Sequence, residues 1–493
     1  MTSRYCVFLL VVCLVIPVAE AQEAKPLTVE TRKAAVARIG SLLVDNYVFE
    51  DVAKQCAAHL DRKLADGAFD SFEDASAFAG ALTKELQSIS HDKHMRVRPS
   101  APRPSGSQTS NPVLDGILAR QASAKRNFGV ARAEILPGNV GVLDIRGFPP
   151  TEASRPTVAA ALKVLENVDA LIVDLRHNGG GNPDLIRYYC SHFFPPNTHL
   201  NSLYWRQGDR TEEFWTLEPV DGKRRPDLPI YILISGRTFS GGEEFAYNFK
   251  TRKRATLIGE TTGGGANPGG MYDVNEALAI FVPTGRAINP VTKTNWEGVG
   301  VEPDIPTRPD DALERALPLA REAAEKYSRA QVSSLEQAAE PIARALEKGE
   351  SLFREGNKDD ATKSVFEALE GGIKTGLANE ESINALGYSY LNSGKTEVAI
   401  AVFTFNVRQF PTSSNAYDSL GEALMRAGRI DESLLAYRKA VELDPGNGNA
   451  KKLIEKLETQ KKAGKQATVK PAGDELANPN RDRSSSRLSC PPL

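Results

Sequence analysis

At 493 residues the chain is long enough for two or three domains. Its 61 Lys and Arg nearly balance 63 Asp and Glu, a net charge of −2 that gives no basis for a nucleic-acid or anionic-membrane partner. The five cysteines, Cys6, Cys13, Cys56, Cys190 and Cys490, are too few and scattered for a disulfide framework or a zinc site. The chain begins as a secretory signal: Arg4, the apolar run Tyr5–Val18, then Ala19-Glu20-Ala21 as a small-x-small cleavage site before Gln22. Residues 1–21 are therefore expected to be removed with Cys6 and Cys13. The run is too short to favour a membrane span, so the mature chain is expected to be exported, periplasmic or extracellular, with no span after cleavage.

Residues 22–98 carry helical periodicity, as in Val36–Val44 and Ala75–Leu86, and read as an N-terminal helical subdomain. Residues 99–126, rich in Pro, Ser and Gln, read as a linker or mobile loop. From Val130 to Pro306 strand-like and helix-like segments alternate, which predicts an α/β core over residues 127–310. Residues 311–345 turn to helix formers and read as a connector.

Beyond it a repeat appears: Gly387 and Gly421 stand 34 residues apart, as do Gly394 and Gly428, Phe403 and Tyr437, and Pro411 and Pro445. That period and pattern of small, aromatic and proline positions is the signature of tetratricopeptide repeats, predicting an all-α solenoid over residues 346–459. Residues 346–375 supply a degenerate first unit. Such arrays present peptide-binding surfaces, so a protein partner is expected there, with a structural or dimerising cap as the alternative. Residues 460–493, a Lys-, Ser-, Arg- and Pro-rich tail, are expected to be disordered.

Within the core, four segments carry chemistry. Pro229–Ile234 is a buried-type strand that runs into Ser240-Gly241-Gly242-Glu243, where a helix begins. A serine there faces unpaired backbone N–H groups at the positive end of a helix, the donors an oxyanion needs. The same Ser-x-x-Glu is also a capping box, in which Ser240 merely starts the helix. Ala170–Leu175 is a second buried-type strand, followed by Arg176-His177-Asn178 and Gly179, Gly180 and Gly181. It lacks the GK[ST] of a P-loop and the spacing of a dinucleotide turn. His94, in Ser90–Val97, supplies an imidazole, and Glu297, in Asn295–Asp304, a carboxylate. No cofactor motif and no metal-ligand cluster is legible, so no cofactor and no metal are expected.

Taken in order, these segments resemble the tail-specific, or C-terminal processing, peptidase superfamily. They are most similar to its branch containing the tricorn protease core and the repeats of interphotoreceptor retinoid-binding protein. The match spans roughly residues 28–310 and rests on Asp92-Lys93-His94-Met95-Arg96, on Asp174 to Gly181, on Thr238 to Glu243, and on Glu297 to Asp304. The resemblance implies a ClpP/crotonase-like spiral core and a serine-type peptidase acting on peptides or unfolded polypeptides. It implies Ser240 as nucleophile, His94 as base and Glu297 as supporting acid, with Gly241, Gly179 and Gly180 giving oxyanion donors. His91 is the rival base, and Glu243, Glu244 and Glu260 are rival acids. Bacterial members that use a Ser–Lys dyad carry lysine where this chain has Gly265, so that dyad is excluded here. Many members also insert a PDZ module before the core. Residues 99–126 are too few for one, since a domain needs at least about 50 residues. The alternatives on the same fold are a catalytically silent binder of apolar ligands or peptides, and an esterase.

Overall fold

The computed structural model describes residues 27–100 and 112–467, which divide into two compact units near Arg329. The expected signal peptide, Cys490 and most of the tail lie outside the described residues. Among those described, no helix is long and apolar enough to cross a membrane. Cys56 and Cys190 are both buried and free.

The first unit opens with helices α1 (Val29–Asn46), α2 (Glu50–Ala65) and α3 (Ala75–Ser90), then strand β1 (Arg96–Pro99) and helix α4 (Pro112–Lys125). The core continues through β2 (Val130–Leu136), β3 (Val140–Ile145), α5 (Thr151–Val164), β4 (Ala170–Asp174) and α6 (Pro183–Ser191). Strands β5 (His199–Trp205), β6 (Arg210–Trp215) and β7 (Ile230–Ile234) precede helix α7 (Gly241–Thr251). Strands β8 (Thr256–Gly259), β9 (Gly269–Asp273), β10 (Leu278–Pro283), β11 (Gly285–Ile288) and β12 (Ile305–Pro306) complete the unit. A short 3-10 turn (Pro309–Asp311) then leads into helix α8 (Ala312–Arg354).

The main sheet has the order β12-β8-β7-β4-β3-β2, parallel throughout except for β2 at one edge. Strands buried on both faces read as near-continuous apolar runs, and β4 is buried from end to end and apolar up to Asp174 at its close. Leu171 and Val173 face one core with α5, α6 and α7, while Ala170 and Ile172 face another. That second core is closed by Ala312, Ala316, Ala320 and Ala324 of α8, a stripe at helical spacing whose small side chains let the helix lie close to the sheet. The strands and helices of this unit thus form the expected α/β core, closed by the start of α8.

Two smaller antiparallel sheets have the orders β11-β5-β6 and β1-β10-β9. The second corrects the boundary drawn around the helical subdomain. Val97 of β1 and Leu278, Ile280 and Val282 of β10 share one apolar core with α1, α2 and α3. The described part of this subdomain, from residue 27, is therefore completed by a hairpin from much later in the chain. The linker expected at 99–126 also needs correction, because residues 112–125 form α4, which the Pro and Ser bias upstream had obscured.

The second unit contains α9 (Lys358–Lys374), α10 (Glu380–Asn392), α11 (Thr396–Gln409), α12 (Ser414–Arg426), α13 (Ile430–Leu443) and α14 (Gly448–Ala467). The repeat period has a direct cause. A Cβ at Gly387 would lie 2.4 Å from Phe403, and one at Gly421 would lie 2.9 Å from Tyr437, so each aromatic ring requires a glycine on the facing helix. Helix α14 runs to Ala467, so residues 460–467 of the expected disordered tail are helical.

Candidate active site

The parallel strands all point their carboxyl ends at one edge of the sheet, where open α/β sheets bind ligands. Three consecutive turns meet there: residues 175–181 after β4, 235–240 after β7, and 260–266 after β8.

Ser240 stands at φ 52°, ψ −121°, a conformation that L-residues other than glycine rarely adopt. An ordinary N-cap residue sits in the extended region instead, as Asp74 does at α3 and Ser413 at α12. The turn is held from several sides. Asn178 is fully buried, accepts the Phe239 N–H on its carbonyl at 2.9 Å, and donates its amide to Ile145 O at 2.9 Å. Thr238 Oγ1 donates to Leu175 O at 2.8 Å. Gly180 must be glycine, because a Cβ there would come within 2.7 Å of both Ser240 Cβ and Gly241 N.

Glu243 does reach back to the Ser240 N–H at 2.8 Å, as a capping box requires. It does more than cap. Buried completely, its carboxylate also accepts Thr262 Oγ1 at 2.5 Å and the N–H groups of Gly264 and Gly265 at 2.6 and 2.8 Å. Glu243 therefore ties the serine turn to the glycine loop, and burial moves its carboxyl pKa upward despite these four bonds.

His94 is positioned by Asp92, whose Oδ1 accepts the His94 N–H at 3.0 Å. Asp92 is buried and takes two further donors on Oδ2, Asn267 Nδ2 at 2.8 Å and Tyr47 Oη at 3.2 Å. Strand β1, which starts two residues later, is registered on β10 with Arg96 opposite Phe281. The His94 ring stacks on Phe281 and tilts against Phe239, with centroids 5.7 and 4.6 Å away. Its Nδ1 is buried with no hydrogen-bond partner. Burial, then the neighbouring Arg96 charge, push the imidazole down to about 4, so it is neutral at pH 7.

Glu297 arrives from the loop after β11. It accepts the Ala266 N–H at 2.5 Å and the Lys93 N–H at 3.3 Å, so one carboxylate bridges the glycine loop and the His94 segment. Burial, then the charge of Asp92, push its carboxyl up to about 7. One donor atom each from Asp92, His94 and Glu297 all lie within 4.8 Å of one another. These are side chains that a divalent cation can also use, although Asp92 already accepts three hydrogen bonds and Glu297 two.

The structure thus joins His94 to Glu297 and adds Asp92, to which sequence reasoning gave no role. The first position of the Asp-x-His segment was the available signal. Ser240 lies one residue from Phe239, the ring that touches His94, and no hydrogen bond joins Ser240 to His94. Of the three oxyanion glycines, Gly180 is corrected: its N–H is committed to Asn178 Oδ1 at 2.8 Å, which leaves Gly241 and Gly179. Of the rivals, Glu243 stands within the site as the clamp between the serine turn and the glycine loop, and the others fall elsewhere. His91 is an exposed C-cap at φ 56°, ψ 9°, Glu244 is buried on α7, and Glu260 is exposed. At Gly265 a Cβ would come within 2.3 Å of Phe239 and 2.7 Å of His94, so no lysine side chain fits there without rearrangement.

Residues 139–307 match peptidase family S41, residues 22–126 the N-terminal domain of that peptidase in eukaryotic IRBP, and residues 384–448 the tetratricopeptide repeat. The carboxyl-terminal-processing protease of Synechocystis sp. is 30% identical over 194 residues, 38% of this chain and 42% of that protein. The chloroplastic carboxyl-terminal-processing peptidase 1 of Arabidopsis thaliana is 25% identical over 215 residues, 41% of this chain and 42% of that protein. The chain therefore spans less than half the length of these relatives. The crystal structure of the tricorn protease aligns at 14% identity over 60% of this chain and 37% of that one, with a TM-score of 0.38, too low to bear on fold or chemistry.

Proposed function

Since this chain belongs to peptidase family S41 through residues 139–307, we propose that it is an exported serine peptidase acting on peptides or unfolded polypeptides. Ser240 is the nucleophile, His94 its base, and Glu297, backed by Asp92, the acid that supports His94. The observation that carries this reading is the backbone of Ser240. A residue that only capped a helix would gain nothing from φ 52°, ψ −121°, which costs on the order of 1–3 kcal/mol. A nucleophile gains exposure of its hydroxyl on a sharp strand-to-helix turn.

In the reaction the Ser240 hydroxyl adds to the scissile carbonyl and its proton passes to His94. The oxyanion takes the N–H of Gly241 and that of Gly179. Collapse to the acyl-enzyme expels the amine, which leaves with the proton from His94, and water reverses the sequence to free the acid. His94, neutral at pH 7, is in the right form to accept the first proton. The serine and imidazole close to hydrogen-bonding distance as substrate binds, as catalytic pairs left loose in the free enzyme do. Export rests on the signal-like residues 1–21, and the repeats offer a surface for a protein partner.

The test is labelling by a fluorophosphonate probe, wild type against Ser240→Ala. Labelling of the wild type alone supports the proposal. Failure of both proteins to label points to a silent binding protein, and labelling with ester but not peptide turnover points to an esterase.

A further inference from the structure

The His94 ring has no hydrogen bond at Nδ1, so its place depends on the two rings it packs against and on its own backbone. That backbone N–H is fixed by Asp92 Oδ1 at 3.0 Å, and Asp92 is in turn gripped from two directions. Asn267 Nδ2 reaches it from the end of the glycine loop at 2.8 Å, and Tyr47 Oη from the end of α1 at 3.2 Å. Tyr47, Asp92 and Asn267 are each 1% exposed. Tyr47 is itself anchored. Helix α1 has no basic residue in its last turn, where unpaired carbonyls carry a partial negative charge. Arg206, in the turn after β5, supplies the missing charge from outside. Its Nη1 donates to Val44 O at 2.9 Å and to Tyr47 O at 2.8 Å. A line of bonds thus runs from Arg206 through the end of α1 to Asp92 and the His94 backbone.

Resting on the peptidase reading, we propose that Tyr47 and Asn267 are positioning residues for the base, holding His94 in place through Asp92. The helical subdomain then takes part in the reaction through the hydroxyl of Tyr47. Hydrogen bonds to an ionised carboxylate are stronger than neutral ones, so the loss of one loosens Asp92 appreciably. Because Nδ1 of the ring has no tether of its own, motion of Asp92 passes to the imidazole. A base displaced by about 1 Å can lose on the order of 100-fold in rate. The loss falls on turnover, since neither residue reaches Ser240 or the proposed oxyanion donors.

The experiment uses the full-length protein. Tyr47→Phe keeps the ring and removes only the hydroxyl, and Asn267→Leu keeps the branched shape without its polar atoms. Each should lower kcat for a short peptide about tenfold or more, with KM within about twofold of wild type. Tyr272→Phe is the control: its hydroxyl faces Asn46 Oδ1 at 3.4 Å, and its loss should leave both constants unchanged. In an Asp92→Ala background, Tyr47→Phe should cost nothing further, because a residue acting through Asp92 has nothing left to hold. The chain has six histidines, so NMR of protein labelled with carbon-13 at histidine Cε1 isolates the His94 ring, assigned with His94→Gln. That signal should shift or broaden in Tyr47→Phe while those of His59 and His192 stay. Wild-type kcat in Tyr47→Phe, an undiminished effect of Tyr47→Phe without Asp92, or a His94 signal that does not move overturns the proposal. Should Asn267→Leu fail to fold, Tyr47→Phe decides alone. A wild type that neither labels with fluorophosphonate nor cleaves peptide would sink the peptidase reading, and the His94 signal would then decide whether these residues hold the ring.

Discussion

The His94 ring lies 4.6 Å from the ring of Phe239, the residue immediately before Ser240. The proposed base and the proposed nucleophile are thus linked through a phenylalanine and not through a hydrogen bond. Anything that moves this ring moves both partners.

Replacing Ser240 separates chemistry from strain. Ser240→Ala and Ser240→Gly should both lose several orders of magnitude in peptide turnover. They should differ in stability, because glycine accepts φ 52° without penalty and alanine does not. Urea unfolding should place the glycine variant about 1 kcal/mol or more above the alanine variant. Equal stabilities would show that the turn relaxes in solution.

The two histidines should behave in opposite ways. His94→Ala should lower kcat by about 100-fold to 10,000-fold with little change in melting temperature. His91→Ala should leave kcat near wild type, since that residue is an exposed helix cap. His91→Gly should raise stability by up to about 1 kcal/mol, because glycine suits φ 56° better.

Glu297 makes stability depend on pH with a definite sign. Its carboxyl is raised from 4.5 to about 7 in the folded protein, so the fold favours its protonated form. That stabilisation is complete below pH 4.5 and is lost as pH rises through 7. Glu297→Gln should therefore melt higher than wild type at pH 8, by a few degrees, and show a smaller difference at pH 4.5. His94 works oppositely, with its contribution present above 6.5 and lost as pH falls through about 4. In kcat/KM the wild type should gain activity through pH 7 as Glu297 ionises, a limb that Glu297→Gln should abolish.

Gly265→Ala tests the contact between the two rings. The added carbon would sit 2.3 Å from Phe239 and 2.7 Å from His94, so one of them must shift. Overpacking of this kind costs about 1–3 kcal/mol, and kcat should fall at least about tenfold as His94 is displaced. Wild-type activity in this variant would mean that the ring contact is irrelevant to catalysis.

Removing residues 346–493 should leave short-peptide hydrolysis intact, since Ser240, His94, Glu297 and the alanine stripe of α8 all precede the cut. KM for a long unfolded protein should rise, because remote binding is lost while the chemistry is untouched. Unchanged KM would assign the repeats to another partner.

What the sequence made legible was local. Strand β7 running into Ser240, strand β4 running into the glycine turn, and the 34-residue spacing of Gly387 and Gly421 are each visible within a short window. What it concealed depends on pairs far apart. Asp92 acquires its role from Tyr47 and Asn267, and Glu243 becomes a clamp only because Gly264 and Gly265 return beside it. Gly180 read as an oxyanion donor until Asn178, two residues away, was seen to hold its N–H. Spacing shows that a glycine is needed, but not which of its groups is already spent.

The pairing of β1 with β10 sets Arg96 opposite Phe281, so the strand beside the base has its partner well over a hundred residues later in the chain. A ribosome delivers His94 early and its anchoring strand late. Until residues 278–283 emerge, Val97 has no partner strand and His94 has no ring to stack on. Closure of so long a loop is a slow and late event in folding. A chain made only as far as Ser240 therefore carries that serine and His94 while the strand that fixes the histidine segment is still to come.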